Sequence, residues 1–163
     1  MKQYFLLLIM AFCLSPAMAQ LKVKEKCADF IIDILDGTVN NIKPNVNPEE
    51  IKTKLSCFTS VEEENTSSKC GGMIAYKDKD IYFFTGRDYV EIKEKFQGKL
   101  TLPLMGAKRN TLFKWLGNPK IKDANWEAYQ VQYGTLVLHF NTAQKVNKIQ
   151  FSTKHSDFLS LCE

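Results

Sequence analysis

Residues 106–153 contain three consecutive segments: GAKRNTLFKWLGNP (106–119), WEAYQVQYGTLVLHF (126–140) and KVNKIQFST (145–153). In the first segment, Leu112, Phe113 and Leu116 recur at helical spacing, and the Gly-Asn-Pro that follows stops a helix. In the second and third segments, apolar residues alternate with polar ones, which is the period of a half-buried strand. The sequence therefore predicts one amphipathic helix followed by two or three antiparallel strands.

The alternation also assigns side chains to the two faces of these strands. Glu127 and Tyr129 share one face of the first strand, and Trp126 lies on the other. In the next strand, Leu138 and His139 lie on opposite faces, because successive side chains of a strand point to opposite sides of a sheet. We expect the face that carries Leu138 to be buried.

The other segments complete the predicted fold. An apolar stripe at helical spacing predicts a helix over Lys22–Asp36, which Gly37 ends. A second helix is predicted after Asn47, because asparagine caps a helix and Pro-Glu-Glu follows it. Aromatic and β-branched runs between polar turns predict strands within Gly72–Lys95. We therefore predict an α+β fold, an antiparallel sheet packed by helices on one face.

The order of these elements recurs along the chain. A helix followed by strands occupies residues 47–95 and again residues 106–153, about 50 residues on, a period at which internal repeats are sought. Ala75-Tyr76 of the first half aligns with Ala128-Tyr129 of the second. We interpret the two stretches as related pseudo-repeats, each a helix plus a meander of strands, within one compact domain.

The N-terminus predicts an export signal. Lys2 precedes the apolar run Tyr4–Leu14, and Ala17-Met18-Ala19 supplies the small residues that signal peptidase requires. The run is shorter than the roughly 20 residues that span a bilayer. We therefore expect a signal peptide at 1–19 and a single secreted domain at 20–163. The mature protein would lie in the periplasm or be secreted, with no integral membrane insertion after cleavage.

The charge of the chain does not favour nucleic acid as a partner. The formal net charge is +4 at pH 7, and the lysines are scattered rather than clustered. Arg87 and Arg109 are the two arginines of the sequence, so the residue type that most often reads phosphates and bases is nearly missing. We expect no nucleic-acid partner.

Four cysteines remain in the predicted mature chain: Cys27, Cys57, Cys70 and Cys162. In an exported protein an even number indicates disulfides, and four cysteines allow three pairings. Our preferred pairing is Cys57–Cys70 with Cys27–Cys162. No Cys-x-x-Cys spacing is present and both histidines stand apart from the cysteines, so we predict no metal and no cofactor.

The second half of the chain resembles the helix-plus-hairpin module of the β-lactamase-inhibitor-protein-like and outer-membrane-assembly-lipoprotein-like group. The resemblance covers residues 106–153 and rests on Leu116-Gly117-Asn118-Pro119 at a helix end, the aromatic strand Trp126–Tyr133, and Val146 and Ile149 in a final strand. The chain departs from the lipoprotein members because bulky Phe12 precedes Cys13 where a lipobox needs a small residue. What the resemblance implies is an extracytoplasmic protein-binding module.

Aromatic residues spread over the predicted strands are the candidate binding residues, together with one histidine. The set is Tyr76, Tyr82, Trp126, Tyr129, Tyr133 and His139. Tyrosine and tryptophan on an open sheet face are typical of protein-binding hot spots. The alternatives are that these rings pack under the helices, or that they form a carbohydrate surface.

The sequence therefore favours binding over catalysis. We predict an exported protein that binds another protein, with an inhibitor or an immunity protein as the concrete form, and we expect it not to be an enzyme. One alternative is a small secreted hydrolase that uses His139 as general base with a carboxylate such as Glu127. A further alternative is a structural protein of the cell envelope.

Overall fold

The computed structural model describes residues 27–65 and 69–162. The predicted signal peptide at 1–19 lies outside the described residues, as does the start of the helix predicted over Lys22–Asp36. No helix in the described part of the chain is long and apolar enough to cross a membrane.

The described residues form eleven strands and two short α-helices. In chain order the elements are β1 (Ile31–Asp33), β2 (Thr38–Val39), α1 (Pro48–Lys54), β3 (Ser60–Glu62), β4 (Met73–Tyr76), β5 (Ile81–Phe84), β6 (Tyr89–Lys93), β7 (Lys99–Leu100), α2 (Phe113–Leu116), β8 (Ile121–Lys122), β9 (Trp126–Val131), β10 (Gly134–Phe140) and β11 (Val146–Ser152). Short 3₁₀ turns lie at Thr85–Arg87, Arg109–Thr111 and Ser156–Phe158.

Eight of these strands form one antiparallel sheet, in the order β3-β4-β5-β6-β11-β10-β9-β8. Two meanders of four strands thus meet where β6 pairs with β11, from Lys93 opposite Lys148 to Tyr89 opposite Ser152. One short helix precedes each meander in the chain, α1 before β3 and α2 before β8. That the two halves are related repeats stays a prediction.

The large sheet has one apolar face, which we call the inner face. It carries Ile74, Tyr76, Ile81, Phe83, Val90, Ile92, Ile149, Phe151, Leu136, Leu138 and Tyr129, all in one buried cluster. The opposite, outer face carries the residues between them, as the cross-strand register requires. The sheet is therefore apolar on one side and mixed on the other.

A second sheet of three strands, in the order β2-β1-β7, belongs to the same core. Its Ile32, Ile34 and Val39 are buried in the cluster that holds the inner face, and Phe30 packs edge-on against Tyr76 at 4.9 Å between ring centroids. Gly37 has a φ of +63°, and a Cβ there would meet the Tyr133 ring at 2.5 Å, so a residue without a side chain is required. The core therefore lies between two sheets.

The predicted α+β fold with helices on one face is wrong, because the protein is mostly β-sheet and its helices are short. Around β1 the correction has a simple cause. Phe30, Ile32 and Ile34 are buried while Ile31 and Leu35 are exposed, which is a period of two rather than of 3.6. The stripe read as a helix in Lys22–Asp36 is a strand and a turn in its described part.

The helix predicted after Gly106 is also shorter than expected. Helical geometry is limited to α2, because the backbone before it pairs with the turn between β10 and β11. Gly106 N–H donates to Val146 O at 2.8 Å, and Arg109 N–H donates to Gln144 O at 2.9 Å. By contrast, the cap predicted for α1 is present, since Asn47 Oδ1 accepts from Glu49 N–H at 2.8 Å.

The chain has two disulfides, Cys27–Cys57 and Cys70–Cys162. The two bridges confirm the disulfide prediction, but the preferred pairing of Cys57 with Cys70 and of Cys27 with Cys162 is wrong. Cys57 lies just before β3 and Cys70 just before β4, and these strands are antiparallel. The two cysteines are therefore at opposite ends of the hairpin. Two disulfides are typical of proteins that mature outside the reducing cytoplasm.

Candidate functional site

The C-terminal residues 156–162, which we call the tail, cross the outer face of the large sheet. Between the tail and strands β8 to β10 is a pocket of about 390 Å³, which we call the tail pocket. Its walls are Ile121, Trp126, Ala128, Thr135, Val137, His139, Ser156, Leu159 and Leu161. The volume lies within the range of roughly 300–1,000 Å³ that is common for ligand sites.

The sheet register places these side chains in the pocket. His139 lies opposite Trp126, and Val137 lies opposite Ala128, which in turn lies opposite Ile121 of the edge strand β8. Each of these residues is on the outer face because its chain neighbours occupy the inner face. The same alternation of side chains that places apolar residues in the core thus places these residues in the floor of the pocket.

A row of buried polar groups continues from the pocket across the outer face. The His139 ring lies against Gln150, with Nε2 at 2.7 Å from Oε1, and Gln150 Nε2 donates to Glu91 Oε2 at 2.7 Å. Gln150 is 0% exposed and Glu91 is 5% exposed. Since the amide nitrogen of Gln150 donates to Glu91, its oxygen accepts, and His139 Nε2 is then the donor of the hydrogen bond between the two side chains.

Two lysines balance the charge of the buried carboxylate. Lys93 Nζ lies 3.3 Å from Glu91 Oε1, and Lys148 Nζ lies 3.8 Å from Glu91 Oε2. A buried carboxylate is costly unless it is paired and hydrogen-bonded, and Glu91 has both kinds of partner. The row is therefore a satisfied network that holds His139 in one orientation beside the pocket.

One arginine holds the tail against the sheet. Arg87 Nη1 donates to Ser160 Oγ at 2.6 Å and to Leu161 O at 3.3 Å, while its Nη2 donates to Lys69 O at 2.9 Å. The N–H of Cys162 donates to the Tyr89 hydroxyl at 3.0 Å. The wall formed by the tail is thus fixed by a guanidinium and by the Cys70–Cys162 bridge.

Exposed apolar side chains lie in the tail pocket and next to it along the chain, and we call them its rim. Ile121, on the edge strand, lines the pocket and is 37% exposed, and Phe158, the neighbour of the lining residue Leu159 on the tail, is 78% exposed. Inside the pocket, Ser156 Oγ is buried and has no hydrogen-bond partner among the described residues. The site therefore offers an apolar rim, an indole wall and an unsatisfied hydroxyl.

The structure brings together two of the six predicted site residues, Trp126 and His139, as a cross-strand pair in the tail pocket. Tyr82 shares the outer face but lies on β5, with Lys93 Nζ at 4.4 Å from its ring centroid. This ring is half-buried at a distance of three strands from His139. Tyr82 therefore does not line the same pocket.

The other three predicted residues, Tyr76, Tyr129 and Tyr133, belong to the core on the inner side of the sheet. Burial raises the pKa of all three phenols above the ordinary value, and in Tyr129 the hydrogen bond to Glu127 adds to the effect. Buried rings such as those of Tyr76 and Tyr129 do not reach a partner's surface. For these three tyrosines the structure therefore supports the alternative that the aromatic rings are packed in the interior.

Glu127, the carboxylate suggested as a partner for His139, lies on the inner face. Its Oε1 accepts from Arg109 Nε at 2.9 Å, and its Oε2 accepts from the Tyr129 hydroxyl at 2.6 Å. The sheet separates this carboxylate from His139, which pairs with Gln150 instead. Ser156 Oγ, in the same pocket as His139, has no hydrogen bond to it. A nucleophile–base pair of the usual kind is therefore not formed at this site.

The sequence predicts one helical turn in Ser156–Cys162, docked by a disulfide, but sequence reasoning missed the tail pocket, Glu91, Gln150, Ile121 and the role of Arg87. Glu91 carried one signal, a lone carboxylate inside the run YVEIK, where the neighbouring residues favour a strand. The position of the tail on the outer face carried no signal, because it depends on which cysteine pairs with Cys162. The pocket follows from a long-range pairing that a linear pattern does not contain.

The described residues contain no group of three or more histidine, cysteine or acidic side chains placed to hold a metal ion. Comparison of the chain with protein-family models, with curated proteins and with solved structures finds no match.

Proposed function

We propose that this chain is an exported protein that binds another protein through the tail pocket and its apolar rim. The observation that carries the proposal is the juxtaposition of Ile121, which is 37% exposed, and half-buried Leu159 with the indole of Trp126 in one pocket, next to the exposed ring of Phe158 on the tail. Aromatic and aliphatic side chains around a pocket are typical of binding hot spots. Isolated apolar residues on a surface are common, but a contiguous set beside a pocket marks an interaction site.

The build of the site supports binding of a partner without a large rearrangement. The sheet fixes the floor, Arg87 fixes the wall, and the polar row fixes His139. A preformed surface loses little conformational freedom on association, so more of the contact energy appears as affinity. A protein that must hold a partner outside the cell benefits from this rigidity.

The concrete form of the proposal is an inhibitor or an immunity protein located in the periplasm or secreted. The two disulfides support export, because they form and persist in oxidising compartments. The geometry supports binding better than hydrolysis, because His139 is bonded to an amide and the carboxylate Glu127 lies across the sheet. Neutralisation would follow from covering a functional surface of the partner.

The test is affinity capture from periplasm and culture medium under non-reducing conditions, with matched variants. Phe158→Ala removes an exposed ring at the pocket, and Phe113→Ala removes a ring of similar exposure, 66%, on α2. We expect Phe158→Ala to weaken capture by more than about 1 kcal/mol, or about fivefold in Kd, and Phe113→Ala to leave it unchanged.

A second matched pair tests the edge strand. Ile121→Ser changes the rim of the pocket, whereas Ile31→Ser changes an isoleucine that is 49% exposed on the small sheet. Loss of capture in the Ile121 variant alone supports the proposal. Equal capture by all four variants, each with an unchanged circular dichroism spectrum, would contradict it.

A further inference from the structure

We propose that the Cys70–Cys162 disulfide is a redox latch that keeps the tail pocket formed, so that reduction by a dithiol opens the pocket. The inference rests on the proposed function, because it assigns a regulation to the same site. Its physical basis is separate: the tail supplies Leu159, Leu161 and Ser156 to the pocket, and Cys162 ends the tail's described residues.

Apart from the disulfide, the tail is held by few polar contacts, which include the hydrogen bond from Ser156 N–H to Gln130 Oε1 at 3.3 Å, and by the half-buried side chains of Leu159 and Leu161. The main interactions of residues 160–162 are with Arg87, with its hydrogen bonds to Ser160 and Leu161 partly exposed to solvent, and with the Tyr89 hydroxyl. Phe158 and Ser160 are exposed, so they contribute little burial. A segment with few buried contacts opens readily unless it is tied down.

The arginine depends on the disulfide for its geometry. Its five nitrogen–oxygen contacts are shared between the two segments that the bridge joins: Lys69 O and Cys70 O on one side, Ser160 O, Ser160 Oγ and Leu161 O on the other. The bridge keeps these acceptors together at a high effective concentration, whereas with the bridge open the tail is joined to the sheet only through the residues that follow Ser152 at the end of β11. Opening the bridge therefore weakens the arginine clamp as well.

The reaction is an ordinary thiol–disulfide exchange with an exported dithiol protein or a small dithiol as reductant. One thiolate of the reductant attacks Sγ of Cys70 or Cys162, forms a mixed disulfide, and releases the other cysteine as a thiolate that takes up a proton. The second thiol of the reductant attacks the mixed disulfide, releases the remaining cysteine as a thiol, and closes the reductant's own disulfide. Two electrons pass from the dithiol to the protein.

The second disulfide supplies a matched control within the same chain. Cys27–Cys57 joins the segment before β1 to the segment after α1, over a separation of 30 residues. It borders a different cavity, lined by Phe30, Leu55 and Tyr76, at the opposite side of the sheet. Opening this bridge leaves every contact of the tail in place.

The readout is the accessibility of Trp126 to acrylamide in a Trp115→Phe background, where Trp126 is the single tryptophan because the sequence has two. The latch variant is Cys70→Ser/Cys162→Ser and the control is Cys27→Ser/Cys57→Ser. We expect the quenching constant of Trp126 to rise and its emission to shift to the red in the latch variant, and to stay unchanged in the control. Circular dichroism verifies that each variant keeps its sheet.

Should a serine variant fail to fold, the single-tryptophan protein with both bridges is reduced with dithiothreitol while circular dichroism is followed. Alkylation and mass spectrometry identify the opened bridge. Quenching that rises with alkylation of Cys70 and Cys162, before the sheet signal is lost, supports the latch. Quenching that stays constant while these two cysteines are alkylated in folded protein overturns it.

Capture of the partner separates this inference from the proposed function. A latch variant with raised quenching and reduced capture supports both. Raised quenching with no partner captured even by the oxidised wild type leaves the latch supported and contradicts the proposed function. Raised quenching with capture equal to that of wild type overturns the regulation of binding by the bridge.

Discussion

The inner and outer faces of the large sheet are built by the same strands, but the inner face is buried in the core and the outer face borders a pocket. In β10, Leu136 and Leu138 lie in the buried cluster, whereas Thr135, Val137 and His139 line the tail pocket. The inner face is covered by the small sheet, and the outer face is covered in part by a seven-residue tail. The difference teaches that the closed apolar core lies on one side of the sheet and the tail pocket on the other.

Each face also carries one buried carboxylate, and the two carboxylates have different partners. On the inner face, Glu127 is held by Arg109 and by the Tyr129 hydroxyl, at 2.9 and 2.6 Å. On the outer face, Glu91 is held by an amide and by lysines whose ammonium groups reach solvent. In the first arrangement the cation is an arginine whose side chain is 17% exposed, and both partners also border a pocket with Lys108 and Gln144. The second ends at a histidine in a pocket, where a ligand can be reached.

The largest expected effect comes from breaking the Arg109–Glu127 ion pair, whose side chains are 17% and 6% exposed. Arg109→Met leaves Glu127 buried without its cation, which should lower the free energy of unfolding by about 3–5 kcal/mol. The matched outer change, Lys93→Met, removes a half-exposed lysine from Glu91 and should cost no more than about 1 kcal/mol. Urea denaturation measures both. Equal losses in the two variants would contradict the difference between the faces.

Leu138 and Val137, adjacent residues of β10 on opposite faces, allow the packing of the two faces to be compared directly. Leu138→Ala empties volume in the closed core and should cost about 2–5 kcal/mol. Val137→Ala removes less volume and borders a pocket that already exists, so we expect a loss of at most about 2 kcal/mol. Thermal and urea unfolding provide the values. A costlier Val137 variant would mean that the outer face is the better packed one.

High pH should destabilise the inner side in particular. The phenols of Tyr76, Tyr129 and Tyr133 have raised pKa values in the folded state because burial disfavours the phenolate. Tyrosines in the unfolded chain ionise near pH 10, so below that pH the stability is fully present. Above it the unfolded state binds fewer protons, and the free energy of unfolding falls by about 1.4 kcal/mol per pH unit for each such tyrosine.

Tyrosinate absorbance, recorded with circular dichroism from neutral to alkaline pH, checks this prediction. Tyr129→Phe should make the alkaline loss of stability less steep, because one proton fewer is linked to unfolding. Tyr82→Phe, on the outer face, serves as the comparison, since Tyr82 is only half-buried. Ionisation of the three inner phenols in fully folded protein would contradict their burial.

The alternation in β9 to β11 was sufficient to predict the two faces of the sheet. Local periodicity assigned Leu138 to a buried face and His139 to the opposite one, and the register confirms both positions. The start of α1 was predictable for a similar reason, because the Asn47 cap is a contact between residues two apart. Features determined by neighbours in the chain are accessible to sequence reasoning.

Features determined by pairing between distant parts of the chain could not be predicted from the sequence. Five of the six residues Phe30–Leu35 are apolar, so the sequence alone does not separate a helical period from a strand period there, and the pairing with β7 decides between them. The sequences around Tyr76 and Tyr129 indicate strands, but they do not indicate which face of the sheet the rest of the chain covers. The tail pocket requires Cys162 to meet Cys70, which one of three equivalent pairings provides.

The most direct test of the central claim is hydrogen exchange of the protein with and without its captured partner. If the outer face binds, the partner should slow exchange of amides in β8 and in the tail, around Ile121 and Phe158. Amides of α2 around Phe113 and of the small sheet around Ile31 should exchange at the same rate in both samples. Protection confined to α2 or to the small sheet, with β8 and the tail unchanged, would contradict the account.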